Sequence, residues 1–243
     1  MPTIVLRPQV KLFIILFVER SGSTFLRSAL HSHPEIVSLG EEFAVLKDKG
    51  HGAAEQMAWA RRFWNPPLIG TKRALGFKTK IMDILDPDGF AQLLHEKRCR
   101  VIQLHRRNTV KAAISTINAK RLHAASGTWN LLREEDRQPP TIIDPEELDR
   151  LLRLREQWDR DLEAYAARLD LPKLALTYEE LLLDENAFLQ RVFNFLEVKP
   201  GPVRPRTLKN TSDNLREAIL NFDELRARYA HTRYAPMFDE VLA

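Results

Sequence analysis

The chain has 243 residues, 44% apolar and 29% charged, with a formal net charge of +4 and an isoelectric point near 9.2. That is the composition of a soluble globular protein, long enough for one sizeable domain without requiring a second. The lone cysteine, Cys99, excludes a disulfide framework and a thiolate metal site, and no stretch reaches the ~18 apolar residues of a membrane helix, so a reducing, cytoplasmic location is expected.

Residues 12–18 form an unbroken apolar run with β-branched and aromatic members, which predicts a strand covered on both faces, as in a parallel sheet. Glu19-Arg20 ends the run. Ser21, Gly22, Ser23 and Thr24 follow, and then Phe25, Leu26, Ala29 and Leu30 return at helical spacing. Small residues between a strand and a helix let backbone N–H groups converge at the helix N-terminus, where unpaired donors and the dipole attract an anion. Residues 36–39 predict a second strand ending at Gly40, followed at once by Glu41 and Glu42. A helix over 53–64 is expected to stop at Asn65-Pro66-Pro67. Residues 75–81 alternate apolar and polar and predict a third strand that carries Lys78 and Lys80.

Asp86-Pro87 predicts the capped start of a helix running to about 96. Residues 100–104 predict a fourth strand leading into His105-Arg106-Arg107, and Asn108 then caps a helix to about 125. That cap puts Lys111 and Ser115 on one helical face, turned toward the strand end. Residues 127–145, with Pro139-Pro140 and mixed charge, read as a loop or lid. A long amphipathic helix over 146–169 buries Leu148, Leu151, Leu152, Leu154 and Trp158. A fifth strand over 173–178, a helix over 184–196, an extended stretch over 200–205 and a last helix over 215–229 complete the chain. The alternation predicts an α/β fold: a P-loop-like parallel sheet of about five strands, flanked by helices on both faces. One domain over 1–243 is expected, with 118–145 as a substrate loop or lid.

Aligned on Gly22, the nucleotide-triphosphate loop G-x-x-x-x-G-K-[ST] meets Phe17 at its leading glycine and Ser23 at its lysine; only Gly22 and Thr24 match. Where that class expects a carboxylate after an apolar strand to help hold magnesium, residues 100–104 lead to His105-Arg106-Arg107 and the third strand to Lys78 and Lys80. Parallel strands present their C-terminal ends on one rim, so that rim carries Arg20, Lys78, Lys80, Arg106 and Arg107. Side-chain cations are therefore expected to do the neutralising that a metal would otherwise do. The histidines show no ligand spacing with each other or with Cys99, so no metal site is expected. An ATP-dependent small-molecule kinase of the P-loop class is the alternative reading. A non-catalytic nucleic-acid-binding protein fits less well, because the basic residues cluster at strand ends without interleaved aromatics.

Arg20-Ser21-Gly22-Ser23-Thr24-Phe25-Leu26 matches the pattern R-S-G-[ST]-[ST]-x-L, and Arg107-Asn108 is followed by Ser115, eight residues after the arginine. With the stretch from Leu208 to Phe238, these motifs resemble those of sulfotransferases that use 3′-phosphoadenosine 5′-phosphosulfate (PAPS), of the bacterial carbohydrate and small-molecule type. The resemblance implies PAPS as donor, adenosine 3′,5′-bisphosphate as product, no metal, and a small-molecule or carbohydrate acceptor. It implies no nucleic-acid partner and no membrane insertion, and leaves the oligomeric state open. It assigns Arg20, Ser21, Gly22, Ser23, Thr24 and Phe25 to the 5′-phosphosulfate, Arg107 and Ser115 to the 3′-phosphate, and Lys209 also to the 3′-phosphate. Transfer requires in-line attack, with positive charge and hydrogen-bond donors on the bridging and equatorial oxygens; Arg20, Ser23, Thr24 and Lys78 are expected there. The acceptor must also lose a proton. Gly40-Glu41 matches the G-E segment that carries the base in related enzymes, so Glu41 is the expected base, with Glu42 and His105 as alternatives. Trp59, Trp64 and Trp129 lie in regions that match nothing, as pocket lining or as core. The helical spacing of Trp59 and Phe63 favours core.

Overall fold

The computed structural model describes residues 10–65 and 70–242. In chain order the first half holds β1 (Lys11–Phe17), α1 (Ser23–Ser32), β2 (Ile36–Leu39), α2 (Glu42–Asp48), α3 (Ala53–Phe63), β3 (Ala74–Lys80), α4 (Pro87–Glu96) and β4 (Arg100–His105). The second half holds α5 (Thr109–Ser126), α6 (Pro145–Ala167), β5 (Lys173–Thr177), α7 (Tyr178–Leu183), α8 (Glu185–Leu196), α9 (Leu215–Ala218), α10 (Phe222–Arg228) and α11 (Ala235–Asp239). The five strands form one sheet in the order β2-β3-β1-β4-β5, and every pairing is parallel.

The unbroken apolar run of β1 has the reason expected of it: both faces of the strand are covered. Phe13, Ile15 and Phe17 pack with Leu26 and Leu30 of α1 and with Phe188 and Val192 of α8. Ile14, Leu16 and Val18 point the other way, into a cluster with Phe43 of α2, Phe90 and Leu94 of α4, and Leu162 of α6. A third cluster joins α5 and α6 to the C-terminal helices through Val110, Ile114, Leu148, Leu152, Phe222 and Phe238. Gly76 of β3 lies so close to β1 that a Cβ there would meet the Phe13 carbonyl oxygen at 2.3 Å.

In the parallel register Phe17 stands beside Lys80 on one side and Leu104 on the other, so the strand ends share one rim. Leu39 pairs with Phe77, which brings Gly40 and Glu41 alongside Lys78. The caps are those expected. The Asp86 carboxylate accepts from the Gly89 N–H at 2.9 Å, and Asn108 Oδ1 accepts from the Lys111 N–H at 2.9 Å.

Some expectations change. Residues 75–81 alternate in sequence, yet β3 is buried on both faces through Thr79, because it lies between β1 and β2 under two helical layers. The last helix is broken: the Leu220 N–H donates to the Thr141 carbonyl at 2.9 Å, and Asn221 pairs with both backbone groups of Ile143, at 2.9 and 3.0 Å. That pairing with residues far back in the sequence takes 219–221 out of the helix despite its apolar spacing. Helix α5 runs through Ser126, so the irregular part of 118–145 begins at Gly127. The two prolines expected to stop α3 lie outside the described residues.

Candidate active site

The turn from β1 into α1 uses two left-handed residues, Arg20 at φ 60° and Gly22 at φ 83°. A Cβ on Gly22 would stand 2.7 Å from Cδ2 of Tyr178, so glycine is needed here for space as well as for conformation. The first helical bond is Leu26 N–H to the Gly22 carbonyl, and no side chain caps α1. The N–H groups of Ser23, Thr24 and Phe25 therefore precede the intrahelical ladder at the positive end of the dipole.

Arg20 joins the two sequence motifs. Its Nε donates to Ser115 Oγ at 3.0 Å, its Nη1 to the Trp129 carbonyl at 3.3 Å, and its own carbonyl accepts from Arg106 Nη1 at 3.3 Å. Arg106 lies over the Tyr178 ring, 4.5 Å from its centroid, and burial pushes its pKa down to about 10, so it keeps its charge at neutral pH. These groups line a cavity of about 380 Å³ together with Gly22, Ser23, Thr24, Phe25, Leu181 and the segment 207–211, which includes Lys209. Lys209 Nζ lies 3.7 Å from the buried Asp213 carboxylate.

A second cavity, of about 580 Å³, shares a wall with the first: Arg20, Ser23, Thr24 and Asn130 line both. Its remaining lining includes Glu19, Glu41, Lys80, Trp129 and Trp158. Lys78 is 4% exposed at the meeting point, with Nζ 2.9 Å from Thr24 Oγ1, 3.3 Å from Ser23 Oγ and 3.0 Å from Glu41 Oε1. Lys80 reaches the other Glu41 oxygen at 3.4 Å and Asp83 at 3.4 Å. Burial alone would raise the Glu41 pKa, but Lys78 and Lys80 outweigh it and hold the carboxyl below its usual range.

Most of the residues singled out in the sequence come together here: Arg20, Gly22, Ser23, Thr24, Phe25, Ser115 and Lys209 around the first cavity, Glu41 on the second, and Lys78 bonded to both Glu41 and the cradle. Ser21 is buried beside them, and its hydroxyl has no hydrogen-bond partner among the described residues. Arg107 and His105 line neither cavity. The Arg107 side chain is 64% exposed, with Nε 3.8 Å from Glu179, and its neighbour Arg106 is the arginine turned inward. Burial lowers the His105 pKa, and the charges acting on it are Asp159, Glu163 and Arg155 of α6. Trp59 and Trp64 belong to the core, where Trp59 stacks on Phe63 at 5.1 Å, whereas Trp129 is exposed, stacks on His123 at 4.1 Å and lines the second cavity.

Arg106 was expected only as one cation of the rim, and Tyr178, Asn130 and Asn210 were not among the expected site residues. The strand-end rule points to Arg106 and Tyr178, which follow β4 and β5, whereas no local signal marks Asn130. Among the described residues no group of three or more His, Cys, Asp or Glu is placed to hold a metal ion. No helix among them is long and apolar enough to cross a membrane.

The cavity has the chemistry of an anion site: an uncapped helix start and the Arg20 and Arg106 side chains line one concave space. The chain is similar to known proteins over nearly its whole length. Nodulation protein H of Rhizobium tropici is 25% identical, covering 96% of this chain and 94% of its own. Nodulation protein H of Rhizobium meliloti is likewise 25% identical, covering 93% and 94%. Among solved structures, a sulfotransferase from Alicyclobacillus acidocaldarius has a similar fold, with a TM-score of 0.51 and 18% identity over 98% of each chain. The model of the sulfotransferase domain matches residues 11–232, a span that takes in the whole sheet and both motifs, and the chain therefore belongs to that family.

Proposed function

We propose that this sulfotransferase takes its sulfuryl group from PAPS and passes it to an acceptor hydroxyl, on a carbohydrate or other small molecule, seated in the second cavity. The observation that carries the reading is the shared wall. Arg20, Ser23 and Thr24 face both cavities, and Glu41 stands on the acceptor side within reach of Lys78. Donor and acceptor bound on the two sides of that wall would meet where the chain concentrates its positive charge.

PAPS, when bound, supplies an activated sulfuryl group and a bisphosphate that leaves as the new sulfur–oxygen bond forms. The chain's residues hold and neutralise it. The N–H groups of Ser23, Thr24 and Phe25 and the Arg20 guanidinium bind the 5′ phosphate and sulfate oxygens. Ser115, Arg106 and Lys209 serve the 3′-phosphate end, and the role given to Arg107 there rests on its motif alone. Lys78, already bonded to both cradle hydroxyls, steadies charge on the bridging oxygen as the bond to sulfur breaks. Glu41 takes the proton from the attacking hydroxyl. Its depressed pKa keeps it ionised at neutral pH, and Lys78 and Lys80 fix the carboxylate in place.

Incubating the enzyme with ³⁵S-labelled PAPS and a panel of glycans and phenols in EDTA tests this directly. Label should move to an acceptor in the wild type and not in Glu41→Gln. Transfer of phosphate from ATP with magnesium, and no transfer from PAPS, would overturn it.

A further inference from the structure

Three carboxylates line the second cavity: Glu41, Asp48 and Glu19. Lysines hold both oxygens of Glu41, and Asp48 is exposed at the end of α2. Glu19 differs from both. It is partly buried, and its Oε1 accepts from Thr116 Oγ1 at 2.9 Å, with Thr116 lining the same cavity. Among the described residues its Oε2 takes no hydrogen bond and stays accessible, and no Lys or Arg forms an ion pair with it. The backbone behind it is fixed. The Glu19 carbonyl accepts from Arg155 Nη1, while Arg155 Nε donates to Asp159 at 3.0 Å and the arginine is 3% exposed. Glu19 therefore presents one open carboxylate oxygen to the acceptor cavity in advance of any ligand. The sheet also sets its distance from Glu41. Glu41 follows β2 and Glu19 follows β1, with β3 between them carrying Lys78 and Lys80. Two strand spacings are about 10 Å, room for one small ring hydrogen-bonded on both sides.

We propose that Glu19 orients the acceptor by taking a hydrogen bond from a hydroxyl beside the one that attacks. This rests on the acceptor reading above and adds to it a residue and a substrate class: compounds with two neighbouring hydroxyls. The attacking hydroxyl gives its proton to Glu41, and its neighbour keeps its proton and donates to Glu19 Oε2. The argument is one of complementarity. A carboxylate only accepts, so an anionic group at that place would be repelled. An apolar group would strip water from Oε2 and offer nothing in return. An ammonium would pair with Glu19 but would meet Arg20 and Lys80, which line the same cavity. A neutral hydroxyl meets neither objection. Held at two points, the acceptor can present one oxygen to the sulfur, which fixes which hydroxyl reacts.

The test measures transfer of label from ³⁵S-PAPS in EDTA to paired acceptors: catechol against phenol, and methyl β-D-glucopyranoside against its monodeoxy forms. The enzymes are the wild type, Glu19→Ala and Glu19→Gln, each checked by thermal unfolding and by titration with adenosine 3′,5′-bisphosphate. The wild type should favour catechol over phenol, or the full glucoside over the form lacking a neighbour of the labelled hydroxyl, by about tenfold in kcat/KM. Glu19→Ala should lose that preference, chiefly through a higher KM for the acceptor, and should spread label over more than one glucoside hydroxyl. Its bisphosphate affinity should not change. Glu19→Gln keeps an accepting oxygen and should retain part of the preference. A wild type without preference, or a Glu19→Ala that keeps both the preference and the single labelled position, overturns the proposal. So does a variant in which PAPS and acceptor weaken together while the preference stays, because Glu19 then only supports the fold. If Glu19→Ala does not fold, Glu19→Gln carries the comparison, and the wild-type ratio alone still decides against the proposal. A wild type that binds the bisphosphate but labels none of these acceptors removes this proposal and leaves the donor reading standing. One that binds no bisphosphate removes both.

Discussion

Replacing Gly22 with alanine asks whether the cradle has the tight geometry described. Two costs apply. The backbone at φ 83° is left-handed, which costs an L-residue about 1–2 kcal/mol. The new methyl carbon would also stand 2.7 Å from Cδ2 and 3.2 Å from Cε2 of Tyr178. Arg106 lies on the face of that ring and the ring packs against the core beside the cradle, so overpacking adds about 1–3 kcal/mol. Together the loss is about 2–5 kcal/mol, which for a chain of this length lowers the melting temperature by roughly 4–20 °C. Gly40→Ala is the control, since nothing lies within 4 Å of a Cβ there and its φ is not left-handed. Thermal unfolding followed by circular dichroism, with and without adenosine 3′,5′-bisphosphate, reads both effects: Gly22→Ala should melt earlier and gain less from the ligand. If Gly22→Ala melts like Gly40→Ala and keeps the full ligand shift, the packing of Tyr178 over the cradle is not what the geometry describes.

Four further outcomes follow from particular residues. Glu41→Gln should lower kcat by about 10²–10⁴, the worth of a general base, with bisphosphate affinity nearly unchanged in a direct titration. Because the two lysines hold the Glu41 pKa below its usual range despite burial, wild-type activity should persist as pH falls to the ordinary carboxylate range and drop only below it. The same depressed pKa means the stability it contributes is present above the unfolded-state value and lost as pH falls through the folded one; an acid limb near neutrality in the kcat–pH profile would contradict this assignment. Lys111→Met should cost about 3–5 kcal/mol in a urea titration, since it leaves Asp213, 2.9 Å away and 1% exposed, as a buried charge short of its closest cation. Cys99 is fully buried and burial pushes its thiol pKa up, so an aromatic disulfide reagent should react with it only after unfolding.

Local signals carried most of the fold. The apolar run of β1, the short β-branched run of β2 and the caps at Asp86 and Asn108 depend on neighbours in the chain, and the elements form where those signals lie. What escaped depends on partners far away. Nothing in 215–229 announces that Thr141 and Ile143 will take the hydrogen bonds of 219–221, so the periodic stretch reads as one helix. Likewise, the buried lysine at 78 looks in sequence like one polar residue of an alternating strand; its burial comes from Glu41 and the cradle hydroxyls. The motifs located the cradle and Ser115, because an anion site needs small residues and donors at fixed spacing. They did not resolve which of two adjacent arginines turns inward, and the structure puts Arg106 against Tyr178 while Arg107 stays exposed.

The central claim is that cationic side chains and backbone amides around Arg20 hold a doubly phosphorylated adenosine without help from a divalent ion. Calorimetry of the wild type in EDTA, titrating adenosine 3′,5′-bisphosphate, 5′-AMP and ATP in turn, tests that claim most directly. The account predicts one bisphosphate per chain, bound at least about tenfold more tightly than 5′-AMP because the 3′-phosphate meets its own cations. No heat with the bisphosphate in EDTA, or tighter binding of ATP that appears only when magnesium is restored, would contradict it.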